Sequence, residues 1–180
     1  DRIDLWQIHR PDVLTHPQEI ARTIENAHKA GKIRAFGVSN FTQAQISTLA
    51  QFSAVPIVST QPELSPLRID TVENGELDQA IAMNLAVLAW SPLGGGRIGD
   101  PQNAREQNVA AALSAVATAH GVSRTAAAYS CIMAHHARPI PIVGSQNPAR
   151  IAEAADAFKI QWTRADWYSV LVAARGVPLP

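Results

Sequence analysis

The sequence predicts an α/β fold in which strands and helices alternate around a parallel sheet. Five short apolar segments are separated by longer segments with helical periodicity. Most of the apolar segments are continuous rather than alternating, which is typical of strands buried on both faces. The 180 residues are 47% hydrophobic and 17% charged, so the chain has enough apolar material for a buried core.

The first half of the chain predicts three strands, each followed by a helix. Pro17 suits the first turn of the first helix, and Gly31 is placed to end it. Thr42 can cap the second helix, and apolar residues recur at helical spacing in the third. We therefore predict strands over residues 3–8, 32–38 and 56–60, and helices over residues 17–30, 42–51 and 70–84.

The second half predicts two strands and four helices. Gly121 is suited to follow the end of one Ala-rich helix, and Ser123 can cap the next. Thr163 and Asp166 form a partial capping box before the last helix. We predict strands over residues 85–90 and 139–143, a loop over residues 91–96, and helices over residues 106–120, 123–135, 148–157 and 163–174.

Polar residues follow every predicted strand, which favours a barrel. The five strand ends carry His9-Arg10-Pro11-Asp12, Ser39-Asn40, Gln61-Pro62-Glu63, Trp90-Ser91-Pro92 and Gly144-Ser145-Gln146-Asn147. The first strand lacks the Gly-x-Gly-x-x-Gly turn that usually marks a doubly wound dinucleotide-binding sheet. Functional groups at the carboxyl end of each strand are typical of a (β/α)8 TIM barrel. Converging there, they would suit a ligand with carboxamide, hydroxyl and phosphate groups.

Composition excludes several other classes of protein. Fifteen basic and fifteen acidic residues give a formal net charge of zero, so we expect neither nucleic acid nor a membrane surface as a partner. The single cysteine, Cys131, excludes a disulfide within the chain, and we expect no metal site. No signal peptide or membrane-spanning run is visible, which favours a cytoplasmic location. The chain begins within a strand-like run, and we expect it to be a piece of a longer protein.

Four motifs in order resemble a known family. They are Asp-Leu-Trp-Gln-Ile-His-Arg-Pro-Asp at 4–12, Gly-Lys-Ile-Arg-Ala-Phe-Gly-Val-Ser-Asn-Phe at 31–41, Ala-Trp-Ser-Pro-Leu-Gly-Gly-Gly at 89–96 and Ile-Pro-Ile-Val-Gly-Ser at 140–145. Together they resemble the aldo-keto reductases, in particular a bacterial predicted-oxidoreductase branch. The resemblance implies an NADP(H)-dependent barrel that reduces aldehydes or ketones to alcohols. Residues 1–180 would then be the carboxyl-terminal five-eighths, with strands 4–8 and without strands 1–3.

The resemblance implies one catalytic residue in this chain. His9 matches the histidine that orients or polarises the substrate carbonyl, whereas the family also uses an aspartate, a tyrosine and a lysine. Tyr129 and Tyr168 lie in predicted helices, and none of the lysines (Lys29, Lys32 and Lys159) fits the family pattern. We therefore expect the 180-residue chain alone to have no reductase activity.

The resemblance also implies a set of residues that bind the cofactor. Ser39, Asn40 and Gln61 match the ligands of the nicotinamide carboxamide, and Trp90 the aromatic residue that stacks on its ring. Ser91, Leu93 and Gly94 resemble the segment over the pyrophosphate, and Gly144, Ser145, Asn147 and Arg150 the site of the 2′-phosphate. Glu153 matches an adenine contact. Ala154 replaces a common asparagine, and Gly144 a common basic residue, which leaves the choice between NADP and NAD open.

Three functional readings remain open from the sequence. The first is a reductase that acts on a small carbonyl substrate. The second is a non-enzymatic sensor or regulatory subunit that binds a nicotinamide cofactor, and the third is a vestigial truncated module that persists through interaction with another chain. The sequence does not specify the substrate or the oligomeric state. If the chain exists alone, its outer strands lack partners, and we expect poor folding or self-association.

Overall fold

The structure is a computed structural model that describes residues 1–179. Its strands are Ile3–Ile8 (β1), Ile33–Ser39 (β2), Ile57–Gln61 (β3), Ala86–Ala89 (β4) and Ile140–Pro141 (β5). Its α-helices are Pro17–Lys29 (α1), Gln43–Phe52 (α2), Asp70–Glu73 (α3), Glu76–Ala82 (α4), Ala104–His120 (α5), Arg124–Met133 (α6), Pro148–Ala154 (α7) and Arg164–Arg175 (α8). Two 3₁₀ segments cover Gly94–Gly96 and Ala155–Lys159. Strands and helices alternate as the sequence predicts.

The chain divides into two compact units. The first contains Asp1–Pro62 and Asn74–Leu88, and the second contains Glu63–Glu73 and the chain from Ala89 onward. In the first unit β1, β2, β3 and β4 are parallel neighbours in chain order. In the second unit the Ile142 amide, just after β5, donates to the Ala89 carbonyl at 2.9 Å. The strands therefore follow one another in the sheet in chain order.

The register of the first three strands places polar residues side by side. Gln7 of β1 is opposite Gly37 of β2, and Gly37 is opposite Ser59 of β3. Because side chains alternate between the faces of a strand, His9 follows Gln7, and Gln61 follows Ser59, on the same face. The neighbouring β2 residues Phe36 and Val38 are fully buried. One face of this sheet is therefore polar near its carboxyl edge.

The second unit has a core formed mainly by three helices. Apolar residues of α5, α6 and α8, including Leu113, Ala127 and Val170, form one buried cluster. Arg105 of α5 reinforces the packing, since its guanidinium donates to the carbonyl oxygens of Leu67 at 2.7 Å and Ala174 at 2.5 Å. The unit is held by apolar packing with this arginine bridge at its margin.

Several predicted caps are confirmed. Thr42 and Gln45 form a reciprocal capping box at the start of α2. Ser123 accepts the Ala126 amide and Thr163 accepts the Asp166 amide at the starts of α6 and α8. Each hydroxyl satisfies an amide that would otherwise lack a partner in the first helical turn.

The predicted element boundaries are wrong in several places. The helix expected over 70–84 is split into α3 and α4, because Gly75 adopts a φ of +87° between them. The helix expected over 148–157 ends at Ala154 and continues as a 3₁₀ segment. The last strand is reduced to Ile140–Pro141, and the predicted loop 91–96 includes a short 3₁₀ turn at Gly94–Gly96. Both regions are rich in Gly or Pro, which interrupt regular backbone hydrogen bonding.

Over residues 1–179, no helix is long and apolar enough to cross a membrane.

Candidate functional site

Asn40 joins the carboxyl ends of three strands in the first unit. Its backbone amide donates to the Gln61 carbonyl at 3.2 Å, and its side-chain Nδ2 donates to the His9 carbonyl at 3.1 Å. Asn40 has a φ of +60°, a conformation that asparagine adopts more readily than most residues. The structure thus brings His9, Ser39, Asn40 and Gln61 to one edge of the sheet, as the strand-end pattern predicts.

Ser39 holds this edge together through its buried hydroxyl. The side chain is 2% exposed. Its Oγ donates to the Gln61 carbonyl at 2.8 Å and accepts from Asn40 Nδ2 at 3.1 Å. The hydroxyl proton is thereby used within the sheet, and Ser39 supports the position of Asn40.

The side chain of Gln61 is held by residues that the sequence analysis missed. Gln7 Nε2 donates to Gln61 Oε1 at 2.9 Å, and Ser59 Oγ donates to Gln7 Oε1 at 2.7 Å. Gln61 Nε2 donates to none of the residues that the structure describes. The alternation of side chains along a strand could have identified Gln7 and Ser59. Gln7 precedes His9 by two residues, and Ser59 precedes Gln61 by two, so each pair lies on the same face.

His9 ends this edge with an exposed imidazole. The loop after it is fixed by Asp12, whose carboxylate accepts from the Leu14 amide at 3.0 Å and from the Thr15 hydroxyl at 2.6 Å. The hydrogen bond from Thr15, followed by that from Leu14, lowers the pKa of Asp12. The sequence left open an ion pair between Asp12 and Arg10, but within residues 1–179 the carboxylate caps a turn and forms no such pair.

In the second unit, Trp90 and Ser91 lie at the end of β4. The Trp90 carbonyl accepts the Leu64 amide at 3.3 Å, and Ser91 has a φ of +52°. Ser91 closes a tight turn: its carbonyl accepts from the Gly94 amide at 2.8 Å and its Oγ from the Gly95 amide at 3.1 Å. Two backbone amides of the glycine segment, Gly94–Gly96, are thus hydrogen-bonded within the turn.

Gly96, the last residue of the glycine segment, is also hydrogen-bonded within the turn. The Gly96 amide donates to the Leu93 carbonyl at 3.1 Å, and Leu93 itself packs against the apolar core of the unit. Gly94 is buried, and a Cβ built on it would lie 2.9 Å from Leu67 Cδ1. In this conformation the segment is shaped by close packing, and its amides are occupied by its own carbonyl and hydroxyl oxygens.

Glu106 braces this segment from the start of α5. Its carboxylate is 3% exposed, accepts the Gln102 amide at 2.7 Å, and pairs with the Arg97 guanidinium at 3.1 Å. Arg97 Nε in turn donates to the Gly94 carbonyl at 2.9 Å. The Gln102 hydrogen bond, opposed by burial and assisted by Arg97, lowers the pKa of Glu106. An ionised carboxylate is therefore part of the loop's framework.

The segment after β5 carries the remaining predicted cofactor residues. Gly144 is exposed, and Ser145 Oγ accepts the Asn147 amide at 3.1 Å. Asn147 caps α7 by accepting the Ala149 amide at 2.9 Å. Arg150 is exposed and Glu153 is half-buried. The polar groups of Ser145 and Asn147 thus fix the loop, and Arg150 presents its guanidinium to solvent.

Cys131, Tyr129 and Tyr168, which the sequence leaves outside the predicted site, all lie in helices. Cys131 is buried, and burial raises the pKa of its thiol to about 12. Tyr129 lies in α6, where burial, with a smaller effect from Glu153, raises the pKa of its hydroxyl. Tyr168 lies in α8. The described part of the chain contains no cluster of three or more His, Cys, Asp or Glu side chains that could hold a metal ion.

Comparison with known proteins identifies the family of the chain and agrees with its fold. The model of the Aldo/keto reductase family matches residues 1–171, and the chain belongs to this family. It is 62% identical over 180 residues to a 6-dehydroglucose reductase of Novosphingobium aromaticivorans, covering 100% of this chain and 59% of that protein. It is 35% identical over 176 residues to a 6-dehydroglucose reductase of Agrobacterium fabrum, covering 98% of this chain and 58% of that protein.

A solved structure shows the same architecture. The glycerol dehydrogenase of Gluconobacter oxydans superposes with a TM-score of 0.86 at 28% identity, over 99% of this chain and 61% of that one. The α/β barrel class predicted from the sequence is therefore confirmed. The chain spans about three-fifths of the length of the curated relatives that it matches over its whole length.

Proposed function

We propose that this chain is part of an NADP(H)-dependent reductase that converts a carbonyl group of a small sugar-like substrate into an alcohol. The observation that carries the proposal is the meeting of His9, Asn40 and Gln61 at one strand edge. Membership of the aldo-keto reductase family supports the reaction class. The names of the two 6-dehydroglucose reductases support an oxidised hexose as the substrate class.

The chemistry of the polar edge fits a nicotinamide carboxamide. A carboxamide needs a donor for its carbonyl oxygen and an acceptor for its amide protons. Gln61 Nε2 is a donor with no bond to a described residue, at the edge that Asn40 also shares. Ser39 contributes indirectly, because its hydroxyl is already committed to Asn40 and the Gln61 carbonyl.

When bound, NADPH would supply the hydride that is transferred to the carbonyl carbon. His9 would donate a hydrogen bond to the carbonyl oxygen, which stabilises the negative charge that develops there. Its exposed ring leaves the edge accessible, while Asn40 fixes the His9 backbone. The proton for the alcohol would come from a tyrosine other than Tyr129 and Tyr168, since both of these lie within helices.

Further residues along the chain would bind the rest of the cofactor. The family resemblance supports Ser91, Leu93 and Gly94 at the pyrophosphate, Gly144, Ser145, Asn147 and Arg150 at the 2′-phosphate, Trp90 at the nicotinamide ring and Glu153 at the adenine. Arg150 offers a forked donor suited to a phosphate. The preference for NADP over NAD rests on this exposed arginine.

The test begins with the complete open reading frame that contains the codons for this chain. Its product should oxidise NADPH in the presence of 6-dehydroglucose, and His9→Ala should lower kcat by about 10²-fold or more. Arg150→Ala should weaken NADPH binding and leave NADH binding nearly unchanged. Ordinary turnover by the His9→Ala variant would contradict the proposed role of His9.

The 180-residue chain by itself provides the second arm. It should turn over neither an aldehyde nor a ketone when NADPH oxidation is followed. A complete gene product that binds cofactor but reduces no carbonyl would instead support the sensor or regulatory reading. Absence of nicotinamide-cofactor binding by that product would overturn the proposed function altogether.

A further inference from the structure

Three side chains form a continuous hydrogen-bonded chain across the sheet of the first unit. Ser59 Oγ donates to Gln7 Oε1 at 2.7 Å, and Gln7 Nε2 donates to Gln61 Oε1 at 2.9 Å. Ser59 is 1% exposed, so its hydroxyl has no access to bulk water and depends on Gln7 as its partner. We call this set, Ser59, Gln7 and Gln61, the amide relay.

The amide relay is possible because of Gly37. This glycine lies between Gln7 and Ser59 in the strand register. A Cβ at Gly37 would lie 1.9 Å from Ser59 Oγ and 2.0 Å from Gln7 Oε1. The space normally filled by a side chain of β2 is therefore occupied by the hydrogen bond between β1 and β3.

The relay has a direction, and that direction reaches Gln61. An amide side chain has an acceptor end and a donor end, and each is determined by what the other end contacts. Ser59 uses the oxygen of Gln7, which turns the Gln7 amino group toward Gln61. Gln7 then uses the oxygen of Gln61, which turns Gln61 Nε2 away from the relay.

We propose that Gln7 is a positioning residue that makes Gln61 a hydrogen-bond donor toward the carbonyl oxygen of a bound carboxamide. The inference rests on the proposed function, since the carboxamide is that of the nicotinamide cofactor. It adds to the proposed function which atom of Gln61 faces the ligand, and it names Gln7 as the residue that determines this orientation. Gln7 itself touches neither cofactor nor substrate in this scheme.

The decisive experiment compares three cofactor forms on the product of the complete open reading frame and on its variants. They are NADP, its 3-acetylpyridine analogue, which keeps the carbonyl oxygen, and its 3-aminopyridine analogue, which lacks it. Gln7→Met removes the relay donor at similar volume. We expect it to weaken the binding of NADP and of the 3-acetylpyridine analogue by about three- to tenfold, which is the range of one net hydrogen bond. The affinity for the 3-aminopyridine analogue should not change.

A double-mutant cycle separates positioning from general loosening of the sheet. Gln61→Leu should weaken the binding of NADP. Adding Gln7→Met should cause no further loss of affinity, because the amide that Gln7 positions is gone. Gln51→Met, an exposed glutamine of α2, is the matched control and should change none of the affinities. Equal weakening of all three cofactor forms by Gln7→Met, or additive losses in the cycle, would overturn the relay.

A second measurement does not depend on the cofactor. In NMR spectra of the same protein without cofactor, the side-chain amide protons of Gln7 should exchange with water more slowly than those of Gln51. Gln7→Met should accelerate exchange at the Gln61 amide. Equally fast exchange at Gln7 and Gln51 would overturn the relay. Failure of this wild-type protein to bind any cofactor form, with slow exchange at Gln7, would overturn the proposed function and retain the relay.

Discussion

Gly37 is the residue at which a single methyl group should have the largest local effect. Its Cβ would collide with Ser59 Oγ, Gln7 Oε1 and the Ser59 carbonyl oxygen, the last at 2.9 Å. Since the backbone cannot move without disturbing β2, Gly37→Ala should destabilise the chain by about 1–3 kcal/mol. Denaturant unfolding monitored by circular dichroism measures this change.

Gly144→Ala is the matched control for that substitution. A Cβ at Gly144 has no neighbour within 4 Å among the described residues, and its backbone does not require glycine. The change should be neutral or stabilise the chain by up to about 1 kcal/mol through the unfolded state. Similar stabilities for the two variants would show that the side chains around Gly37 rearrange freely.

At the same scale, the sequence predicted the ends of the strands better than the contacts between them. His9, Ser39, Asn40 and Gln61 were recognisable because each follows an apolar run. The roles of Gln7 and Ser59 depend on strand register and on the space above Gly37, and no local pattern encodes either. The use of Ser39 within the sheet was unpredictable for the same reason, since its acceptor lies on β3.

At the scale of an element, the start of α5 links a buried carboxylate to the glycine segment. Hydrogen bonding from the Gln102 amide lowers the pKa of Glu106 below its ordinary value of 4.5. The ionised form therefore stabilises the folded chain above the unfolded-state pKa, and this contribution disappears as the pH falls through the lowered value. Glu106→Gln should be less stable than wild type near neutral pH, and the difference should shrink in acid.

Glu19→Gln provides the control, because Glu19 occupies the same third position of α1 but is exposed. Urea unfolding of wild type and both variants, near neutral pH and well below 4.5, measures the two differences. Glu19→Gln should have little effect at either pH. A Glu106→Gln penalty that stays constant across this range would argue against an ionised Glu106 as the stabilising form.

The elements show why boundaries are harder to predict than element types. Caps such as Thr42 and Ser123 act over three residues, and their chemistry is readable from the sequence. The break at Gly75 is different, because a glycine within an amphipathic pattern is compatible with a continuous helix. Its left-handed φ is adopted next to Gln43, whose side chain donates to the Asn74 carbonyl, a partner 31 residues away.

At the scale of the whole molecule, the sequence was sufficient for the family and the architecture. The strand and helix alternation gave the α/β class, and four motifs gave the family that the comparisons show. The proposed reaction also needs groups that His9 alone does not supply. The chain covers 59% and 58% of the length of the two 6-dehydroglucose reductases.

The exposed edge of strand β1 predicts that the 180-residue chain self-associates in solution. Among residues 1–179 its only strand partner is β2, and Ile3 and Leu5 are 52% and 37% exposed. Unpaired backbone groups beside exposed apolar side chains favour association with another strand. Size-exclusion chromatography with light scattering should therefore show concentration-dependent oligomers of the isolated chain.

A charge on this edge should reduce that association, because burying a lysine against a second strand carries a large desolvation cost. Leu5→Lys should shift the chain toward monomer at the same protein concentration. Val13→Lys adds the same charge at an 83% exposed position in the loop after β1, and it should leave the association unchanged because the edge is untouched. A wild-type chain that stays monomeric with a cooperative melt, or equal effects of the two lysines, would show that β1 is not the associating surface.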